Sequence, residues 1–424
     1  MKDLFISRNF RFMCLWLGQI LSQSGTRMFQ IAIVWSLISL ETEHAGVRAA
    51  IFMVLGAIPS IIFLKWTGRF IDQQGAKIAL LGSDSCAACI SLALWLLLGI
   101  YGFNISFIYG AGFLLATCHT FLDPSLQKAL PQLVHSEKDT EKAVAWIATT
   151  QSLASFGGAV VGAFAINQFN LETVTLLNAI SYIISVLFLL AARIPEVIYL
   201  EKTNGSNSGS QVNDDALNVD ESVWNVMAKR VPLLLKIIIG FGVINFFATP
   251  TLIVLPLYIK KNFNGSASLL AVYEALLWLG MIIGTFSLAW VKRLCSVMKI
   301  QGTLKFGGCC LLLFGLCLWV PGLFVDLHIY GLLLGLAGFT LGLNNVKFVT
   351  LFQEVVVYSR KGRFFALLGA LISFSFPFAY LVFGFLADVM AITTLCFIQG
   401  LGVMTLALWY FAISHREHEL YVSW

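Results

Sequence analysis

"EKTNGSNSGSQVNDDALNVDES", residues 201–222, is the longest polar stretch in a chain that is 58% hydrophobic. Ser, Asn, Gly and acidic residues fill it, and such a composition buries too little apolar surface to fold by itself. Its position carries the architecture. A membrane-spanning helix needs about 20 mostly apolar residues. Stretches of that kind lie near 10–38, 46–67, 77–101, 104–126, 143–167 and 172–193, all ahead of the polar segment. Six more lie near 232–259, 267–290, 302–324, 328–357, 364–387 and 391–413. The chain thus divides into a six-helix lobe at 1–194, a linker at 195–230, a second six-helix lobe at 231–413 and a tail at 414–424.

Composition supports a membrane protein. Only 12% of the 424 residues are charged and the mean hydropathy is +0.85, where soluble domains carry about 25% charge. A net charge of +5 without a basic patch offers nucleic acid no footprint. The first residues, "MKDLFISRNFRFMCLW", hold charges up to Arg11 and no small-residue cleavage site, which reads as an uncleaved lead into the first span. The nine cysteines sit mostly inside apolar runs and read as small helix residues. Cys86-Ala-Ala-Cys89 has redox or metal spacing, but neither a His nor a second Cys pair lies near it.

Basic residues orient the spans. With the N-terminus placed in the cytoplasm, nineteen lysines and arginines, from Lys2 to Arg416, fall on the linker side, and three, Arg48, Lys260 and Lys261, on the other. Both termini and the linker are therefore expected inside, with the Lys260-Lys261 pair as the exception. Twelve helices also suit a channel or a membrane enzyme, but a linker at mid-chain favours a two-lobed transporter.

"GRFIDQQGAKIALL", residues 68–81, interrupts the apolar sequence between the second and third spans. Gly68 and Gly75 allow a tight reversal. Asp72 can accept hydrogen bonds from a helix N-terminus, and Arg69 and Lys77 follow the positive-inside bias. A short cationic turn accounts for the same residues.

Several segments carry a resemblance. Gly68, Asp72, Gly75 and Lys77 resemble the loop 2–3 signature of the major facilitator superfamily, with Gln73 where the family usually has Arg. "NFRFMCLWLGQILSQSGTRMFQIAIVW" resembles the first helix of its drug:proton antiporter branch, of the macrolide-efflux and enterobactin-exporter type. "FLDPSLQKALPQLVHSEK" resembles the branch's loop 4–5. "LFQEVVVYSRKGRFFALLGALISFSFPFAYLVFGFLAD" resembles its helix 10–11 region, including Gly362-Arg363 and Ala387-Asp388. The resemblance implies an all-α membrane protein of twelve transmembrane helices in two six-helix lobes, the major facilitator fold. It also implies that Gly68, Asp72, Gly75 and Lys77 form a cytoplasmic gate latch, with Asp72 facing the start of span eleven after Gly362 and Arg363, where the helix dipole favours an anion. In one place the chain departs from the branch: Gly157-Gly158-Ala-Val-Val-Gly162 lacks the Pro of the antiporter motif on span five.

Polar residues inside spans are costly and mark cavities or partner helices. On span one, Gln19, Gln23, Thr26 and Gln30 share a face at spacings of three and four, with Arg27 at its border. Span seven offers Asn245 and Thr249; span ten offers Asn344 and Lys347. The resemblance makes spans one, four, seven and ten the cavity lining, so these nine residues are the candidate substrate contacts. Helix–helix hydrogen bonding is the competing reading for each. His119 on span four reads as a hydrogen-bonded helix residue rather than a proton carrier, and Asp123 as structural. Lys65 and Lys236 lie close enough to helix ends to snorkel.

Coupling needs an ionisable group. Glu274, about 10 Å into span eight at 1.5 Å per residue, is the first candidate for a proton carrier; Asp84 and Glu354 follow. Arg27, about 25 Å along span one by the same rise, reads as the counter-charge of Glu274 or as a contact for an anionic substrate. No nucleotide loop, nucleophile constellation or metal-ligand cluster is present, so no cofactor is expected. The expected protein is a monomeric, multi-pass inner-membrane transporter that exchanges protons for an amphipathic organic molecule. Siderophore transport in either direction is the alternative within the class, and a non-transporting receptor the alternative outside it.

Overall fold

The computed structural model describes residues 9–40, 44–133, 150–162, 165, 168–194, 232–295, 300–355 and 361–414. Among them helices and short turns account for the chain, with no strand. The helices are α1 (Phe10–Ser39), α2 (Ala45–Ile62), α3 (Leu64–Gln74), α4 (Ala76–Tyr101), α5 (Ile105–Thr120), α6 (Leu122–Leu133) and α7 (Leu171–Ala192). After the linker come α8 (Pro232–Ala248), α9 (Thr251–Phe263), α10 (Ala267–Cys295), α11 (Ile300–Trp319), α12 (Leu327–Val355), α13 (Lys361–Val389) and α14 (Ile392–Ser414). Residues 150–162 are helical as well.

Ten helical stretches among the described residues are long and apolar enough to cross a membrane. They correspond to spans two to four and six to twelve. The first expected span is α1, thirty residues long but more polar than the rest. The fifth is represented by 150–162; its remainder and the linker lie largely outside the described residues. Lipid leaves a spanning backbone no partner but itself, so apolar length translates directly into helix.

The chain forms two compact units that are discontinuous in sequence. Unit 1 comprises Met1–Leu37 and Leu55–Asp214; unit 2 comprises Ile38–Val54 and Asp215–Trp424. α2 therefore begins in unit 2 and ends in unit 1. In unit 1, Phe12, Leu15, Leu80, Leu126, Leu189 and Ile194 share a core that joins α1, α4, α6 and α7. In unit 2, Ile238, Phe241, Phe314, Phe348, Phe352, Phe364 and Tyr410 do the same for α8, α11, α12, α13 and α14.

Lipid removes the hydrophobic drive between helices, so association rests on close packing. α10 and α12 show this most directly. A Cβ placed on Gly280, Gly284, Gly338 or Gly342 would run into the backbone of the facing helix, at Gly335, Phe339, Leu277 or Met281. The Gly-rich "GLLLGLAGFTLG" is thus a packing surface. Side chains such as Ile100, Leu332 and Phe385 point outwards, where lipid would cover them.

Candidate functional site

In unit 1 the polar face of α1 is partly turned into the bundle. Gln19 and Thr26 are buried, while Gln23 and Gln30 are half-buried. Gln23 Nε2 donates to Gln19 Oε1 (3.5 Å), and Arg27 Nη1 to Gln30 Oε1 (3.4 Å). Thr26 Oγ1 lies 2.8 Å from the Ser22 carbonyl, 2.7 Å from the Tyr182 hydroxyl and 3.3 Å from His119 Nε2. His119 Nε2 is 2.9 Å from the same Tyr182 hydroxyl. Span one, span four and span six thus meet at three polar side chains.

Asp84 is buried on α4, where the Ser185 hydroxyl of α7 donates to its Oδ2 (2.6 Å). About two turns further along, Asn178 Nδ2 donates to Ser91 Oγ (3.3 Å), again from α7 to α4. Tyr182 and its stripe were missed by sequence reasoning. The signal was present: Asn178, Ser181, Tyr182 and Ser185 repeat at helical spacing in an otherwise apolar span.

Span four is interrupted. α5 stops at Thr120 and α6 begins at Leu122 with Pro124 in its first turn. Pro124 supplies no N–H and crowds the carbonyl four residues back. His119 sits directly before the break.

Unit 2 repeats the pattern in span seven. α8 ends at Ala248, Thr249 and Pro250 form a turn, and α9 resumes at Thr251. Asn245 Nδ2 bonds back to the Phe241 carbonyl (2.8 Å), and the Thr249 N–H to the Asn245 carbonyl (3.0 Å). The buried Gln399 of α14 donates to the Phe247 carbonyl (3.1 Å), satisfying backbone that the proline break frees. Sequence reasoning passed over Gln399, a lone amide in span twelve. Broken helices of this kind border binding sites in many transporters.

Asn344 is 2% exposed and sits against Gly307 and Phe348. Lys347 is half-buried, its Nζ 5.8 Å above the Phe306 ring. Glu274 is 3% exposed on α10, next to Tyr273, whose hydroxyl donates to the Leu327 carbonyl. The Glu354 side chain lies outside the described residues.

The loop between spans two and three is a helix–glycine–helix corner. Gly68 lies within α3, and Gly75, at φ 83°, separates α3 from α4. Its N–H closes on the Ile71 carbonyl (3.0 Å), and Lys128 Nζ donates to the same carbonyl (3.0 Å). A cation thus sits at the negative end of α3. Lys77 is half-buried on the first turn of α4. The side chains of Asp72 and Arg363 lie outside the described residues; the backbones of Asp72, Gly362 and Arg363 are helical.

Comparison with known proteins agrees with this framework. The profile of the Major Facilitator Superfamily matches residues 15–368. Macrolide efflux protein A of Streptococcus pyogenes is 21% identical over 404 residues, 94% of each chain. An uncharacterised MFS-type transporter of Bacillus subtilis, YkuC, is 24% identical over 261 residues, 61% of this chain and 58% of that one. Among solved structures, a bacterial homologue of the iron transporter ferroportin in an inward-facing state superposes with a TM-score of 0.71 at 15% identity, over 95% of this chain and 98% of that one. A POT family transporter in complex with 5-aminolevulinic acid does so with a TM-score of 0.73 at 11% identity, over 96% of each chain.

Proposed function

The chain belongs to the major facilitator superfamily, and on that premise we propose that it exports an amphipathic organic molecule from the cytoplasm in exchange for protons. It is a multi-pass membrane transport protein and not an enzyme. The export reading draws on likeness to the macrolide efflux protein A of Streptococcus pyogenes, which extends over 94% of each chain. The half-buried Gln23, Gln30, Asn245, Thr249 and Lys347, together with Gln19, Thr26, Arg27 and Asn344, are the proposed substrate contacts. The protein works as a monomer in the inner membrane with both termini in the cytoplasm.

One observation carries the coupling. Glu274 is buried in α10, a helix whose spanning segment has a mean hydropathy of 1.8. An intramembrane carboxylate is costly and marks a relay or an ion path by default. As the proposed carrier it would load a proton on one face of the membrane and release it on the other. Asp84, tied to Ser185, and Glu354 are the second choices. Macrolide flux in vesicles under an imposed pH gradient tests this. Glu274→Gln is expected to abolish gradient-driven flux and to keep gradient-independent exchange. A variant that pumps like wild type removes Glu274 as the carrier, and wild-type flux indifferent to an uncoupler removes proton coupling.

A further inference from the structure

The Lys260-Lys261 pair is the main exception to the basic-residue bias, and both side chains are engaged. Lys260 Nζ donates to the Ile38 carbonyl in the last turn of α1 (3.3 Å), and Lys261 Nζ to the Ala387 carbonyl in the last turn of α13 (3.2 Å). Each ammonium thus sits at the negative end of a helix. Beside them Asp388 does the converse. Its Oδ1 accepts from the Gly46 N–H (2.8 Å) and its Oδ2 from the Val47 N–H (2.9 Å), at the positive end of α2. Three charged side chains cap three helix termini, and all of them lie in unit 2.

The backbone is shaped for this contact. A Cβ on Gly46 would stand 2.5 Å from the Gly384 carbonyl oxygen and 2.8 Å from Ala387 Cβ; one on Gly384 would run into Ala50. Only glycine at both positions lets α2 approach α13 closely enough for Asp388 to reach its N–H groups. His44 enters α2 at φ 70°, with Nδ1 4.0 Å from Asp388 Oδ2. Its side chain is 71% exposed, whereas that of Asp388 is 9% exposed. The carboxylate is therefore the covered partner.

We infer that Asp388, Lys260 and Lys261 form one releasable clasp, which holds the Ile38–Val54 segment against α9 and α13 and opens as a unit. It rests on the transporter reading, in which the loops bearing these residues face outwards and must yield once per cycle. Two of the capping contacts fall on this short segment and the third ties α9 to α13 beside it, giving a closed state that a modest change in charge can release.

Amide hydrogen exchange on the full chain in lipid nanodiscs tests the clasp without any substrate, so its failure is distinct from a failure of the transport assay. Asp388→Asn is expected to speed exchange at Gly46 and Val47 by about tenfold, the size of a charge–dipole contact. Lys260→Met with Lys261→Met touches neither amide, yet should speed the same two by a similar factor if the three contacts open together. Peptides from the α11–α14 core serve as the folding control and should exchange as in wild type. Acceleration in the aspartate variant alone would mean an ordinary static cap and would overturn the clasp, as would no acceleration in either.

Discussion

Thr26, His119 and Tyr182 show what a residue can and cannot reveal in advance. Their three short contacts are satisfied together only when hydrogens run in one direction: His119 Nε2–H to the Tyr182 oxygen, Tyr182 O–H to Thr26, and Thr26 O–H to the Ser22 carbonyl. That order requires a hydrogen on His119 Nε2. It favours a structural cluster tying span one to spans four and six over a proton store. Tyr182→Phe removes the central link and leaves His119 with Thr26 at 3.3 Å. Hydrogen bonds between membrane helices are worth roughly 0.6–2 kcal/mol. The variant should therefore melt a few degrees lower in detergent while retaining most transport. Lost transport with an unchanged melting temperature would instead make Tyr182 itself part of the working site. The residue types were visible in the sequence. Their meeting was not, because it depends on how each helix is rotated about its axis.

Elements were legible in proportion to how strongly lipid dictates them. Among the described residues the apolar stretches are helices near their expected limits, whereas the breaks in spans four and seven were read as continuous helix. In water a proline inside an apolar run ends a helix. Here neighbours such as Gln399 repair the freed backbone, and the run continues on the far side of Pro250. The turn at Gly68–Lys77 was found from its residues, and its corner at Gly75 agrees. Its proposed role as a latch is a matter of charge. Asp72→Asn keeps the shape and removes a charge–dipole attraction of about 0.3–2 kcal/mol, enough to shift a balanced two-state equilibrium up to about thirtyfold. Transport should slow, membrane insertion should stay normal, and thiol labelling from the cytoplasmic side should rise. Unchanged labelling would return the segment to a plain cationic corner.

At the scale of the molecule, hydropathy divides the chain at the linker, but the compact units do not follow a single cut. Ile38–Val54 belongs with the second unit. Nothing in composition announces this, because the contacts responsible are backbone approaches at Gly46 and Gly384 and caps from Asp388 and Lys260, each far away in sequence. The same contacts bear on orientation. Nineteen basic residues against three are the ground for proposing a cytoplasmic linker and cytoplasmic termini, and the dissenting Lys260-Lys261 pair is engaged with helix C-termini, where cations are favoured whichever side they face. Removing that pair from the tally leaves Arg48 as the only basic residue opposing the rule. Reporter fusions at Ser208 and after Trp424 should therefore be active with a cytoplasmic enzyme and silent with a periplasmic one. Replacing Lys260 and Lys261 with Met should leave both signals as they are, since the pair serves packing and not insertion. A periplasmic signal from either fusion in the wild-type chain would reverse the orientation, and with it the assignment of the Gly68–Lys77 corner to the cytoplasmic face and of the Asp388 caps to the outer one.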